Sequence, residues 1–210
     1  MRVFKLLELD DSVTRLSIVW IRPSTHPVFH ESIMQLPHVL ETGLHVALDQ
    51  KNIRTVDFVI DATLNLTLTE STALIESIAS AASACLSCKT VTHLTFVMFP
   101  PNEQDIPLPA FETFLETLKS NTTLQLLMLS TRMDEAFLSS LLTAVQASSL
   151  HMLTLDVHNI STWSMQAVQL LMIFLKQAPS TLKNVRIKTG PRQKPDAFSR
   201  LEKNPLVSFY

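Results

Sequence analysis

The sequence predicts an α/β solenoid, in which parallel strands form one layer and helices form a second layer outside it. The first observation is a repeated six-residue pattern, apolar-x-x-apolar-x-apolar, as in Leu150, Leu153 and Leu155. The second is the helical spacing of apolar residues between the copies of this pattern. The third is the presence of only 2 glycines in 210 residues. Glycine-rich phosphate-binding turns are therefore not predicted.

The six-residue pattern occurs six times, and its copies start at intervals of 40, 38, 33, 26 and 32 residues. The apolar triplets are Val13, Leu16 and Ile18; Ile53, Val56 and Phe58; Val91, Leu94 and Phe96; Leu124, Leu127 and Leu129; Leu150, Leu153 and Leu155; and Leu182, Val185 and Ile187. A single strand-helix pair buries only one face, whereas stacked pairs share a continuous core. We therefore expect the strands to lie side by side, parallel and in chain order.

Each copy predicts a strand, because apolar residues alternate there and β-branched or aromatic residues are frequent. The predicted strands are Val13–Trp20, Thr55–Ile60, Val91–Phe99, Leu124–Leu129, Leu150–Val157 and Leu182–Lys188. Two proline-rich segments that follow strands, Arg22–Pro37 and Pro100–Pro109, are predicted loops, since proline disrupts regular structure. Both would border the same rim of the solenoid.

Helices are predicted between the strands, and the clearest has Phe111, Phe114, Leu115 and Leu118 at i, i+3, i+4 and i+7. The other predicted helices carry apolar stripes from Leu36 to Leu48, Leu74 to Cys85, Phe137 to Val145 and Met165 to Leu175. Thr69 is a predicted N-cap. Asp134 and Glu135 are suited to a helix N-terminus, where the peptide dipole favours negative charge.

The repeated units resemble those of a divergent leucine-rich repeat protein, and the long helical intervals are most similar to the ribonuclease-inhibitor-like class. The resemblance covers about Val13 to Lys188. We therefore interpret residues 1–188 as a right-handed, leucine-rich-repeat-like solenoid of six strand-helix units. We interpret residues 189–210 as a basic C-terminal tail or cap, in which Leu206 and Phe209 predict an incomplete seventh unit. The resemblance implies a non-catalytic module for protein-protein interaction.

A doubly wound α/β domain is the alternative, because it also alternates strands and helices. It would be an enzyme with its site at the C-terminal ends of the strands, around Asp61, Phe99, His158 and Gly190. A reversal in strand order, with helices on both faces of the sheet, would favour this alternative.

The resemblance assigns one face of the sheet to partner binding, because successive strand side chains point to opposite faces. The predicted partner-binding residues are His93, Thr95, Leu126, Met128, Met152, Thr154, Asp156 and Arg186. Leu126, Met128 and Met152 would be exposed apolar side chains on adjacent strands, which often mark a partner site, and methionine adapts to varied partners. The alternative interpretation is that a loop or the tail covers them.

No arrangement of residues in the sequence predicts catalysis, a cofactor or a metal site. Cys85 and Cys88 form a C-x-x-C pair inside a predicted helix, without further zinc ligands at suitable spacing. We interpret them as small apolar helix residues. His38 and His45 could share a helix face, but no H-E-x-x-H spacing accompanies them.

Charge is distributed unevenly along the chain. From Lys183 onward there are 7 basic and 2 acidic residues, whereas the preceding part has 10 basic and 17 acidic residues. The tail lacks interleaved aromatic residues, so a solvated end-cap is favoured over a nucleic-acid site.

The sequence predicts an intracellular protein, cytoplasmic or nuclear, that does not enter a membrane. The first residues do not form a signal peptide, and no apolar run approaches the roughly 20 residues needed to cross a bilayer. Divergent intracellular repeats of this kind resemble those attached to F-box substrate receptors. The resemblance implies a substrate-recognition or scaffold subunit, and a ubiquitin-ligase component is one such role.

Overall fold

A computed structural model describes residues 14–20, 44, 48, 52–61, 68–99, 108–131, 133–156, 165–188, 198–199 and 201–210. In these parts of the chain, seven strands form one parallel sheet that is accompanied by four helices. The strands are Arg15–Trp20 (β1), Thr55–Asp61 (β2), His93–Phe99 (β3), Leu126–Ser130 (β4), Met152–Asp156 (β5), Asn184–Lys188 (β6) and Val207–Phe209 (β7). The helices are Leu68–Ser87 (α1), Leu108–Ser120 (α2), Glu135–Ala147 (α3) and Met165–Lys176 (α4). The predicted α/β fold class is confirmed.

The strand order follows the chain from β1 to β7, and every neighbouring pair is parallel. The register aligns the fourth position of the repeat across six strands, at Leu16, Val56, Leu94, Leu127, Leu153 and Val185. A doubly wound sheet has a point at which the strand order reverses. The seven described strands have no such point, so the arrangement is solenoid-like.

The four described helices form one layer over a single face of the sheet. The Phe96 ring in β3 lies 5.6 Å from the Phe111 ring in α2, which lies 5.6 Å from the Phe137 ring in α3. Successive helices contact one another from α1 to α4. The buried residues of the helices and strands belong to one hydrophobic core. We call the face beneath this helix layer the inner face and the opposite one the open face.

The strands begin two residues later than predicted in the third to sixth copies of the repeat. The first apolar residue of each copy lies before the residues that are hydrogen-bonded in the sheet. Leu124, Leu150 and Leu182 are buried but lie before β4, β5 and β6. At the entry to β4, the amides of Gln125 and Leu126 both donate to the Thr92 carbonyl, at 2.8 and 3.1 Å. The first apolar side chain therefore contributes to the core before its backbone joins the sheet.

Asn121 connects the end of one helix to the next strand and to a neighbouring unit. Its Oδ1 accepts a hydrogen bond from the Leu124 amide at 2.7 Å, and its Nδ2 donates to the Leu86 carbonyl at 2.6 Å. Side chains at corresponding turns also accept backbone amides, at Ser148 and Asn204. Short polar side chains are suited to such turns because they satisfy amides that lack a ladder partner.

The predicted helix starts are partly correct. Asp134 caps α3, where its Oδ1 accepts from the Phe137 amide at 2.7 Å. Thr69 does not cap α1, because the helix begins at Leu68. Pro109 lies in the first turn of α2 and not in a loop; proline fits there because the first helical amides lack intrahelical acceptors.

The C-terminal residues form a seventh strand, as predicted, but they occupy different positions of the six-residue repeat than predicted. Val207 pairs with Val185 and Phe209 pairs with Ile187, so Val207 and Phe209 occupy the inner positions. The unit therefore starts at Asn204 and not at Leu206. The Phe209 ring packs at 5.8 Å from the Phe198 ring.

Several predictions lie outside the described residues. Only Leu44 and Leu48 of the predicted Leu36–Leu48 helix are described, and both are helical and buried in the core. The Arg22–Pro37 loop and residues 100–107 are outside this part, as are His38 and His45. No described helix combines the length and apolar character that crossing a membrane requires.

Candidate functional site

The open face presents three rows of side chains that run across the strands. The first row is Arg15, Thr55, His93, Leu126, Met152 and Asn184. The second row is Ser17, Asp57, Thr95, Met128, Thr154, Arg186 and Ser208. The third row includes Val19, Val59, Val97 and Ser130, with Asp156 paired to Lys188 at its far end. The register predicted from the repeat is confirmed.

All eight predicted partner-binding residues lie in the strands of this face. They are His93, Leu126 and Met152 in the first row, Thr95, Met128, Thr154 and Arg186 in the second, and Asp156 in the third. Parallel register brings them together from four neighbouring strands, β3 to β6. Their role in binding stays a prediction.

An apolar patch, formed by Leu126, Met128 and Met152, lies in the middle of the open face. Leu126 pairs with Met152 across β4 and β5, and Met128 is two residues further along β4. All three side chains are half-buried. Water therefore reaches apolar surface at the centre of the sheet.

A second apolar strip on this face was not singled out from the sequence. Val19, Val59 and Val97 are direct neighbours across β1, β2 and β3. Val19 is 56% exposed, and the other two are half-buried. The signal was available, because valine recurs one residue beyond the last apolar position of the first three copies.

Thr154 and Asp156 are less accessible than predicted, since each is only 4% exposed. Thr154 is a short side chain between Met128 and Arg186 in its row, and both of those neighbours are longer. Asp156 accepts a hydrogen bond from the Ser130 hydroxyl at 2.8 Å, and Ser130 is itself buried. The expectation that these two side chains would be open to solvent is wrong. The alternation of side chains along a strand determines which face of the sheet each one points to, but not how much of it solvent reaches.

Asp57 forms a charged cluster that was not predicted as a site. Its Oδ2 accepts from Arg15 Nε at 2.7 Å and from the Ser17 hydroxyl at 3.1 Å. The Asp57 side chain is largely buried, whereas Arg15 is mostly exposed. The opposite charges of Arg15 and Asp57 on neighbouring predicted strands were the available signal. This ion pair compensates the Asp57 carboxylate at the β1–β2 end of the open face.

Arg186 has a different environment at the other end of the face. Its side chain is exposed on β6, between Thr154 and Ser208. Within the described part of the chain, its guanidinium makes no hydrogen bond or ion pair. Arg186 therefore has no charged partner among the described residues, and it lies one strand from Met152 of the apolar patch.

The residues of the alternative catalytic site are only partly described. Asp61 and Phe99 are neighbours at the ends of β2 and β3, while His158 and Gly190 lie outside the described residues. Over the described ranges, no group of three or more His, Cys, Asp or Glu residues could hold a metal ion. With His158 and Gly190 outside the described residues, the alternative catalytic site stays a prediction.

Cys85 and Cys88 lie at the end of α1, away from the open face. Cys85 is fully buried, whereas Cys88 is half-buried just beyond the helix. Burial, with a smaller contribution from Cys88, raises the pKa of the Cys85 thiol strongly. The thiolate is the nucleophilic and metal-binding form of cysteine, so Cys85 is poorly suited to either role near neutral pH.

A groove of about 320 Å³ lies on the helical side of the molecule, between α2 and α3. Its lining residues are Glu112, Leu115, Glu116, Lys119, Ser139, Ser140 and Thr143. Lys119 is paired with Glu116. None of the predicted site residues lines this groove.

Comparison with protein-family models finds no match to the chain, and comparison with curated protein sequences finds none either. The resemblance to leucine-rich repeat proteins therefore stays a prediction from the sequence pattern.

Proposed function

We propose that this chain is a non-catalytic protein-interaction module that binds another protein through the open face of its sheet. The observation that carries the proposal is the apolar patch of Leu126, Met128 and Met152, which no described helix covers. Apolar patches bordered by polar residues often mark protein-protein contacts, and methionine is over-represented at such interfaces. His93 and Thr95 border the patch on β3, so polar groups are available around its apolar centre.

In this proposal, the module is a substrate-recognition or scaffold subunit. A place in a ubiquitin ligase follows from the sequence resemblance alone. The proline-rich segments Arg22–Pro37 and 100–107 would add contacts at the rim, because each follows a strand in the sequence.

Paired variants test the proposal. The open-face variant combines Met128→Glu with Met152→Glu and places two charges in the apolar patch. The control variant combines Met165→Glu with Ile173→Glu in α4, where the original side chains are 52% and 56% exposed on the helical side. Both variants add the same charge and remove the same kind of apolar surface, so they differ mainly in the face that they alter.

The measurement is affinity capture with each tagged chain, followed by quantitative mass spectrometry. We expect proteins retained by the wild-type chain to be retained by the α4 control and lost from the open-face variant. Equal retention by all three folded chains would exclude the apolar patch as the binding site. Circular dichroism and urea unfolding establish that each variant is folded before capture.

A further inference from the structure

We propose that the segment recognised by the open face is acidic as well as apolar. Its apolar side chains would cover Leu126, Met128 and Met152, and a carboxylate of the same segment would pair with Arg186. This inference rests on the proposed function and adds the chemistry of the partner to it.

The charge balance of the open face is the first support. Arg15 and Asp57 compensate each other at 2.7 Å, and Asp156 is buried and hydrogen-bonded to Ser130. Arg186 is exposed and has no ionic partner among the described residues. Complementary potentials guide partners to an interface and reject those of like charge. The unpaired guanidinium therefore favours a negatively charged partner group.

The position of Arg186 relative to the apolar patch is the second support. Arg186 pairs with Thr154, which in turn pairs with Met128, so two strand spacings separate Arg186 from that methionine. Neighbouring strands lie about 4.8 Å apart, which places Arg186 roughly 10 Å from Met128 along the row. About three extended residues, at roughly 3.3 Å each, cover this distance. One short partner segment can therefore contact both features.

The hydrogen-bonding groups around Arg186 are the third support. The Asn184 side chain is directly beside Met152, and its Oδ1 already accepts from the Ser208 hydroxyl at 2.9 Å. Its amide nitrogen is a donor and adds to the N–H groups of Arg186. A carboxylate can bind a single guanidinium, because its two oxygens can accept two parallel N–H···O hydrogen bonds from that group. Phosphorylated motifs are instead recognised by clusters of arginines, and Arg186 is alone in its row.

Peptide selection with charge-reversal variants tests this inference. A phage-displayed library of random peptides of about twelve residues is selected against the full wild-type chain, Arg186→Glu and Lys183→Glu. Lys183 is the matched control, because it is exposed three residues before Arg186 and its Nζ donates to the Ser180 carbonyl. Both substitutions change the net charge equally.

We expect the wild-type chain and Lys183→Glu to enrich peptides in which Asp or Glu lies within about four residues of Leu, Ile, Met or Phe. Arg186→Glu should lose the preference for acidic residues. It should also bind the peptides selected on the wild-type chain at least about tenfold more weakly, because it removes one charge-assisted contact and places a negative charge opposite the peptide carboxylate. The same acidic pattern and the same affinity with Arg186→Glu would overturn the inference. A selection that enriches no peptide on the wild-type chain would also count against it.

The neutral variant Met128→Ser with Met152→Ser separates this inference from the proposed function. It removes the apolar side chains without adding a charge that would repel an acidic peptide. Selected peptides that need the methionines but tolerate Arg186→Glu would leave the proposed function standing and refute the acidic partner. Peptides that tolerate both variants would refute both.

Discussion

The two faces of the sheet are built from alternate residues of the same strands, yet they differ in how completely they are enclosed. On the inner face, the side chains at the fourth and sixth repeat positions are almost fully buried from β1 to β6. On the open face, polar and apolar side chains mix, and most are half-buried or exposed. The helix layer therefore packs on one half of each strand's side chains, and the other half is less enclosed.

A second difference separates the two ends of the open face. At β1 and β2, the charges of Arg15 and Asp57 are paired. At β6, Arg186 has no described ionic partner. The charges at the first end are paired within the sheet, whereas the charge at the second end is exposed to solvent. Substitutions on each face measure how much the inner face and the open face contribute to the stability of the fold.

The largest contrast is expected between Leu153→Ala and Met152→Ala, which alter consecutive residues of β5. Leu153 is fully buried on the inner face, whereas Met152 is half-buried on the open face. Truncating a fully buried leucine costs about 2–5 kcal/mol, because it removes apolar contact and leaves a cavity. Met152→Ala should cost about 1 kcal/mol or less. Urea unfolding of both variants measures the two free energies.

Similar losses for the two variants would contradict this division, because they would show that the open face is packed as tightly as the core. Met128→Ala provides a second open-face reference on the neighbouring strand β4. It should behave as Met152→Ala does, since both methionines are half-buried.

A smaller loss is expected for Asn121→Ala. The substitution leaves the buried Leu124 amide without its acceptor at 2.7 Å and the Leu86 carbonyl without its donor at 2.6 Å. Unsatisfied buried groups cost about 1–3 kcal/mol, so we expect a loss in this range in urea unfolding. Asn121→Asp keeps the acceptor but replaces the donor with a second oxygen and adds a charge at a buried position, so it should not restore full stability. Full stability of the alanine variant would show that water replaces both bonds.

The strand order and the register were predictable from the sequence, because the three apolar residues of the repeat have the same spacing within every unit. Leu127, Leu153 and Val185 occupy equivalent positions in the sequence and become direct neighbours in the sheet. The strand starts were not predictable from that pattern. A buried residue such as Leu150 satisfies the apolar pattern whether or not its backbone belongs to the ladder.

The accessibility of the site was predicted less well than its position. Alternation placed Thr154 and Asp156 on the open face, but their burial depends on the size and bonding of their neighbours. The contact between Asn121 and Leu86 joins residues 35 positions apart. No local sequence rule specifies that contact, because an asparagine in a turn can satisfy many different groups.

A pH-dependent contribution is expected from Cys85, which belongs to the helical layer of the core. Burial raises the pKa of its thiol in the folded protein, whereas an unfolded cysteine titrates near pH 8.5. Below that pH both states hold the proton. Above it only the unfolded chain releases the proton, so the free energy of unfolding falls by about 1.4 kcal/mol per pH unit.

Urea unfolding of the wild-type chain and Cys85→Ala under reducing conditions measures this contribution between pH 7 and 10. The other titrating groups are common to both proteins, so the difference between their free energies isolates Cys85. We expect that difference to be constant up to about pH 8 and to shift toward the alanine variant above pH 9. A difference independent of pH would show that the thiol ionises equally well in the folded core.

The smallest effect is expected for Arg15→Ala, which removes the exposed partner of Asp57. Because the Arg15 side chain is 69% exposed, solvent screens the pair, and such contacts typically contribute about 0–1 kcal/mol. Asp57 would keep its hydrogen bond from Ser17. Urea unfolding should therefore show a loss below about 1 kcal/mol, similar to that of Ser17→Ala. A loss above about 2 kcal/mol would mean that the Asp57 carboxylate requires its cation to remain in the sheet, since a buried charge left unpaired is costly. The β1–β2 end of the open face would then belong to the folding half of the strands, and recognition would be restricted to the half that contains the apolar patch and Arg186.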